Sequence, residues 1–317
     1  GRPAAALGLA ELRLPEEEQA TSMPGRRTPH AAHRQWIGVP PHIAKWVGDP
    51  TRAWEMLSPK QKHEALPIAG FTAPGPQQAG TIRFVCVSDT HCAASMPVIP
   101  YGDVLLHAGD WTQTGGLREV AAFRDWLKSQ KHARKICIAG NHDLTMDGSS
   151  ICDTARRFGL VGSGSAEGEL EQLCATARQM VESACEYLCD SGTTVRGIHV
   201  WGSPWQPWFC DWAFNLPRGK PCRDRWAAIP PETDVLVTHG PPLGHGDLCS
   251  TNQRAGCLDL LDEVQGRIRP SLHLFGHIHE GYGVTSDGTT MYANASTCTI
   301  DYVAANAPLV FDLPAKD

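Results

Sequence analysis

Five short stretches of this 317-residue chain carry side chains that could bind metal ions. They are Asp89-Thr90-His91, Gly109-Asp110, Gly140-Asn141-His142-Asp143, Thr238-His239-Gly240 and Gly276-His277-Ile278-His279. In extended chain, side chains two apart share a face, so Asp89 and His91 can offer a carboxylate and an imidazole to one ion. Carboxylate, imidazole and amide oxygen together suit Mn, Fe or Zn rather than a soft, thiolate-bound metal. Taken singly, a Gly-Asp pair is usually an ordinary turn, and a strand-end histidine is usually a surface or capping residue. Five such stretches in one chain, each closing an apolar run, point to one shared site.

The runs that must position them read as buried strands over 81–88, 103–107, 135–139, 234–238 and 272–275. Glycines beside the candidate residues let the backbone turn tightly there. Open α/β sheets place their sites outside the carboxyl ends of strands, which is where all five stretches fall. Between the strands, Val120, Phe123, Trp126 and Leu127 recur at helical spacing, residues 167–189 form an amphipathic helical pattern, and 257–265 is helical. A strand over 195–201 leads into a loop rich in aromatics, from Trp201 to Arg218. Asp287-Gly288 marks a hairpin turn, and 308–313 reads as a closing strand. His107 and His273 lie inside strand runs and read as core or sheet-face histidines. The alternation of strand and helix makes the fold class α/β.

The N-terminal part differs. Residues 1–32 are rich in Ala, Pro, Glu and Arg without a sustained period and read as a flexible tail. Residues 33–80 carry Trp36, Ile43, Trp46, Trp54 and Leu57, too apolar for a free tail and too short for a separate core. They are expected to pack on the main domain, with Asp49-Pro50-Thr51 opening a short helix and 71–80 forming a linker. The main domain is expected over 81–313.

Net charge is −6, divided as +2 over residues 1–80 and −8 over the rest. An acidic main body is poorly suited to tracking a nucleic-acid backbone, so extended nucleic-acid binding is not expected. No apolar stretch approaches the roughly 18 residues of a membrane span. The 12 cysteines include no C-x-x-C pair, and Cys86 and Cys137 sit inside apolar runs, as buried free thiols do. This favours a reducing, cytoplasmic setting.

The ordered set Asp-x-His, Gly-Asp, Gly-Asn-His-Asp, Gly-His and Gly-His-x-His resembles the calcineurin-like metallophosphoesterase superfamily. The longer phrases FVCVSDTH, YGDVLLHAGDWT, IAGNHDLT, WGSPWQPWFCDWAFNLPRG, THGPPLG, HLFGHIHEGYG and NASTC resemble its metallophosphoesterase domain-containing proteins. The resemblance covers about residues 81–313. It implies a four-layer α/β/β/α sandwich with two divalent metal ions, Mn, Fe or Zn. One ion would be held by Asp89, His91 and His279, the second by Asn141, His239 and His277, with Asp110 bridging both.

His142 would face the scissile phosphate, and Asp143 would orient its ring or fix its tautomer. Two divalent ions bring +4 against −2 from Asp89 and Asp110, so the site stays positive, as an anionic substrate requires. The implied reaction is hydrolysis of a small phosphoester or nucleotide substrate. A phosphodiester, either a cyclic nucleotide or a small aryl diester, would be attacked by a hydroxide bridging the metals. A metal- or nucleotide-binding scaffold with little turnover and a phosphoprotein phosphatase are the alternatives. The family has a branch in which Gly replaces the first His of Gly-His-x-His; here His277 is present, which favours an active enzyme.

Departures and weaker candidates remain. Close relatives are expected to carry Glu rather than Asp at Asp143. His245 stands where relatives tend to carry an aromatic; it is a candidate substrate contact, although a surface-loop histidine is the commoner outcome. Trp205, in the aromatic loop, is a candidate wall against a nucleobase. Arg218, Lys220 and Arg223 read as solvated charge. Asn294 fits a glycosylation pattern with Ser296, which a strand position argues against.

Overall fold

The structure, a computed structural model, describes residues 38–148, 151–162 and 166–316. The tail expected over 1–32 lies outside the described residues. Fourteen strands are β1 (Glu64–Leu66), β2 (Thr81–Val87), β3 (Val104–His107), β4 (Arg134–Cys137), β5 (Glu186–Tyr187), β6 (Ser191–Val195), β7 (Ile198–Ser203), β8 (Gln206–Pro207), β9 (Asn215–Leu216), β10 (Val235–Thr238), β11 (Leu272–Phe275), β12 (Gly283–Ser286), β13 (Met291–Asn294) and β14 (Leu309–Pro314). The α-helices are α1 (Pro41–Ala44), α2 (Pro50–Leu57), α3 (Ala69–Thr72), α4 (Leu117–Ser129), α5 (Ile151–Arg157), α6 (Glu167–Glu182), α7 (Lys220–Trp226) and α8 (Leu258–Glu263).

Two sheets are stacked. One has the order β14-β2-β3-β4-β5, the other β1-β12-β13-β11-β10-β7-β6. Strand β2 shows why. Apart from Thr81 all its residues are buried, and its side chains alternate between two apolar layers. Ile82, Phe84 and Cys86 enter the layer between the sheets, where they meet Val200, Val237 and Leu274 of the other sheet. Val85 and Val87 point the other way, into a cluster with Val120 and Phe123 of α4 and Leu170 and Val181 of α6. On the far face of the second sheet, Leu236 and Tyr292 pack with Trp226 of α7 and Leu260 of α8. The result is the α/β/β/α sandwich, with a hydrophobic layer at each of its three internal faces.

The parallel pairs β2-β3, β3-β4 and β10-β11 bring the five candidate stretches to one end of both sheets. At that end the two sheets are joined. Ser88 N donates to Ala295 O at 2.9 Å and Thr297 N donates to Ser88 O at 2.8 Å.

Residues 40–66 add two things to this frame. Asp49 caps α2 by accepting from Arg52 N at 2.9 Å. Ile43, Ala53 and Leu57 then bury against Leu243, Leu258 and Leu261, and β1 pairs with β12 at the edge of the second sheet.

Three elements differ from the sequence expectation. The helix expected over 167–189 stops at Glu182, because the sheet edge recruits the segment after it: Glu186 pairs with Ile136 and Tyr187 with Cys137. The single strand expected over 195–201 is a hairpin of β6 and β7. Its turn is Arg196-Gly197, both at positive φ, which matches the twist of paired strands. The linker expected over 71–80 begins inside α3, and its Phe71 ring packs against Phe311 at 5.1 Å. Among the described residues no helix is long and apolar enough to cross a membrane, and eleven cysteines are free.

Candidate metal centre

Four of the candidate residues leave their strands by a sharp reversal. Asp89, His91, Asp110 and His277 all have φ between 43° and 69°, in the left-handed region that Asp and His tolerate better than most residues. Gly140 and Gly276 must be glycine for a different reason. A Cβ on Gly140 would collide with Asp110 and His239, and one on Gly276 with Asp89 and Ser88.

Two donor groups result, each with its atoms within 4.8 Å of one another, Asp89, His91 and His279, and Asp110, His239 and His277; a third set, His91, Asp110 and His142, overlaps them. Asp110 stands between them. Its Oδ2 is 3.2 Å from His239 Nε2 and 3.9 Å from His91 Nε2, and its Oδ1 accepts from His142 N at 2.8 Å. Asn141 Oδ1 is 2.9 Å from His239 Nε2.

The donor chemistry fits divalent ions. His91, His239 and His279 each direct Nδ1 at a backbone carbonyl, those of Thr112, Ala108 and Thr299, at 2.9–3.1 Å. An Nδ1–H donated there leaves the lone pair on Nε2, the tautomer a metal ligand needs. The Nε2 lone pairs of His91 and His279 then face each other at 3.2 Å, and that of His239 faces the Asn141 oxygen. Acceptors brought together like this call for a cation among them, a metal ion or, in its absence, a proton on Nε2. Burial opposes charge on His239 and His279, yet the Asp110 and Asp89 carboxylates carry both rings up to about 9. Burial dominates for His91 and His277, which fall to about 4 and about 3. The two carboxyls lie below their ordinary range. Burial works against that, and the neighbouring histidines outweigh it.

A further group, Cys222, Cys257 and Asp259, also lies within ligand distance. It fits an ion poorly, because the Asp259 carboxylate already accepts from Arg223 and from Gly219 N at 3.0 Å each.

The surrounding residues hold the cluster rigidly. Asp89 accepts from His277 N at 3.0 Å and from Ser296 Oγ at 2.9 Å, a link between the two sheets. Asp143 accepts from Asp110 N, Gly140 N, Thr112 N and Thr112 Oγ1 at 2.7–3.0 Å. Burial and then the Asp110 charge push its carboxyl up to about 8, against the pull of those donors. His107 and His273 are buried and bond Thr90 and Thr238, next to the ligand positions.

Several expected placements are corrected. Asp143 does not meet the His142 ring; the nitrogen partner of that ring is Gln113 O, at 2.7 Å from Nδ1. The reason is steric, since the Asp143 carboxylate is folded inward onto the loops after β3 and β4. Trp205 does not touch the cluster. Its Nε1 donates to Asp190 and Arg225 stacks on its ring at 4.3 Å. His245 is neither a surface residue nor a neighbour of the cluster. It is fully buried, stacked on Tyr292 at 3.7 Å and beside His63 and Trp54 of the N-terminal segment. Lys220 and Arg223 are exposed, as solvated charge is, and pair with Asp224 and Asp259, whereas Arg218 is half-buried and donates to the carbonyls of residues 255 and 256. Asn294 is buried and donates to Gly246 O and Ile278 O.

The rings that do touch the cluster are others. Trp212 lies on His142 at 4.1 Å, Phe209 is edge-on to His277 at 5.4 Å, and Tyr302 is edge-on to His91 at 4.9 Å. The aromatic loop signalled the first two as a group. No motif signalled Tyr302, which follows the NASTC phrase by four residues.

A layered α/β/β/α fold with a buried Asp, His and Asn cluster at the strand ends defines a metallophosphoesterase. The chain belongs to the calcineurin-like phosphoesterase family, which it matches over residues 82–281. Membership carries metal-dependent phosphoester hydrolysis on a centre of two divalent ions. It is 46% identical over 278 residues to metallophosphoesterase domain-containing protein 1 of Homo sapiens, covering 86% of this chain and 84% of that protein. It is 38% identical over 292 residues to UPF0046 protein T07D4.2 of Caenorhabditis elegans, covering 89% and 72%.

Proposed function

We propose that the protein hydrolyses phosphodiesters, with Asp89, His91 and His279 holding one ion, Asn141, His239 and His277 the other, and Asp110 shared between them. When bound, the two ions supply Lewis-acid charge and a water acidified towards neutral pH. The chain's own residues do the rest. Asp110 sets the spacing of the two donor groups. The Nδ1 hydrogens held on backbone carbonyls keep the rings of His91, His239 and His279 from turning. His142 fixes its Nδ1–H on Gln113 O, which leaves Nε2 as the nitrogen that takes up or gives a proton. In its protonated form that nitrogen can donate to a phosphoryl or leaving oxygen, while Trp212, packed against the ring at 4.1 Å, limits its rotation.

The observation that carries this reading is the position of Asp110, whose Oδ2 lies 3.2 Å from His239 of one donor group and 3.9 Å from His91 of the other. The test is turnover of bis-p-nitrophenyl phosphate by Mn²⁺-loaded protein. His142→Ala should lower kcat by about 10²–10⁴-fold, the range of general acid–base help, with metal content unchanged. Equal rates in wild type and variant would exclude His142 from the chemistry.

A further inference from the structure

Nine large apolar side chains are well exposed among the described residues, and five of them sit on two segments that border the metal centre: Trp208 and Phe209, and Ile300, Tyr302 and Val303. Such clustering marks a binding surface rather than scattered surface apolarity.

Both segments are braced. Phe209 N donates to Asn215 Oδ1 at 3.0 Å, and Asn215 Nδ2 donates back to Phe209 O and Trp212 O. Tyr302 sits at φ +59°, with its N–H on Thr299 O at 2.8 Å and Thr299 N on Val303 O at 2.9 Å. The backbone that carries the rings is therefore held in place before any ligand arrives, which lowers the ordering cost of binding.

Their positions divide between the two donor groups. Tyr302 is edge-on to His91 and His279, at 4.9 and 5.5 Å, while Phe209 is edge-on to His277 at 5.4 Å. A phosphoryl group at the centre would have an apolar ring on either side. The exposed carboxylates of Asp211 and Asp301 neighbour those rings in the chain and disfavour substituents that bring more negative charge.

We infer that Tyr302 and Phe209 form an apolar subsite that selects singly charged phosphate diesters carrying an aryl or comparably flat apolar group. The inference rests on the phosphodiesterase reading of the centre, and the two are separable by experiment. Binding to the Mn²⁺-loaded 317-residue chain is measured by calorimetry with diphenyl phosphate and dimethyl phosphate, which differ only in their ester groups. Diphenyl phosphate should bind at least about tenfold more tightly, the order of one or two ring contacts. That ratio should fall about tenfold in Tyr302→Ala/Phe209→Ala, whose metal content is checked in parallel. It should persist in Tyr101→Ala, an exposed aromatic before the opposite end of β3.

Turnover is then compared for phenyl p-nitrophenyl phosphate and methyl p-nitrophenyl phosphate, which share a leaving group. The phenyl ester should have the lower KM, and the double variant should lose that advantage. Equal binding of the two phosphates, or a ratio unchanged in the double variant, overturns the subsite. Turnover of both esters without preference also overturns it while leaving the hydrolase reading intact. A binding preference for the phenyl compound with no turnover of either ester sustains the subsite and removes the hydrolase reading.

Discussion

At the scale of single residues, Asp143 and His142 are neighbours with separate duties. Asp143 gathers four donors from the loops after β3 and β4, among them the backbone N–H of Asp110 itself. It is a strut beneath Asp110. His142 faces outward, with Trp212 on its ring. Replacing Asp143 by Asn puts an amide where four donors converge, so donors face donors. Leaving a buried donor without its acceptor costs about 1–3 kcal/mol. Asp143→Asn should therefore lower unfolding stability by that order and reduce bound metal, read by denaturant titration and metal analysis. A variant that keeps full stability and metal while losing rate would instead make Asp143 a direct participant in the chemistry.

At the scale of elements, the site is assembled by strand ends. Three come from one sheet and two from the other, and parallel pairing aligns them without help from the loops. The N-terminal segment contributes packing. Leu57 is 2% exposed against Leu243, Leu258 and Leu261, beside the loop that follows His239. Leu57→Ala should cost about 2–5 kcal/mol of stability, as buried leucines do. A change of under about 0.5 kcal/mol in denaturant unfolding would show that this segment folds independently of the rest.

Much of this scale is legible in the sequence. Strands 81–87, 104–107 and 272–275 are continuous apolar runs, and a run stopped by Asp, His or Gly has few other readings. Less legible are features fixed by contacts distant in the chain. Tyr187 looks helical by spacing but is claimed by the free edge of β4. His245 looks exposed in its Gly-rich loop, yet Trp54, His63 and Tyr292 enclose it from segments 47 to 191 residues away. The choice among the loop aromatics also depends on packing. Trp205 is drawn off by Asp190 and Arg225, which leaves Phe209 and Trp212 at the cluster.

At the scale of the whole molecule, the metal centre lies across the seam between the two sheets. Asp89, His91 and Asp110 follow strands of one sheet, and His239, His277 and His279 follow strands of the other. Each donor group draws from both, so bound ions would clamp the sandwich at the end where Ser88 and Ser296 already bridge it. The groups are unequal in charge. In the proposed assignment Asp89 would serve the first alone, whereas Asp110 would be shared.

That asymmetry gives the most direct measurement: metal content per chain in wild type and Asp89→Asn, by elemental analysis after loading with Mn²⁺ and removal of excess. Two ions per chain are expected in wild type. About one is expected in Asp89→Asn, retained by Asp110, Asn141, His239 and His277, together with loss of diester turnover. One ion or none in wild type, or two in the variant, would contradict the two-metal account.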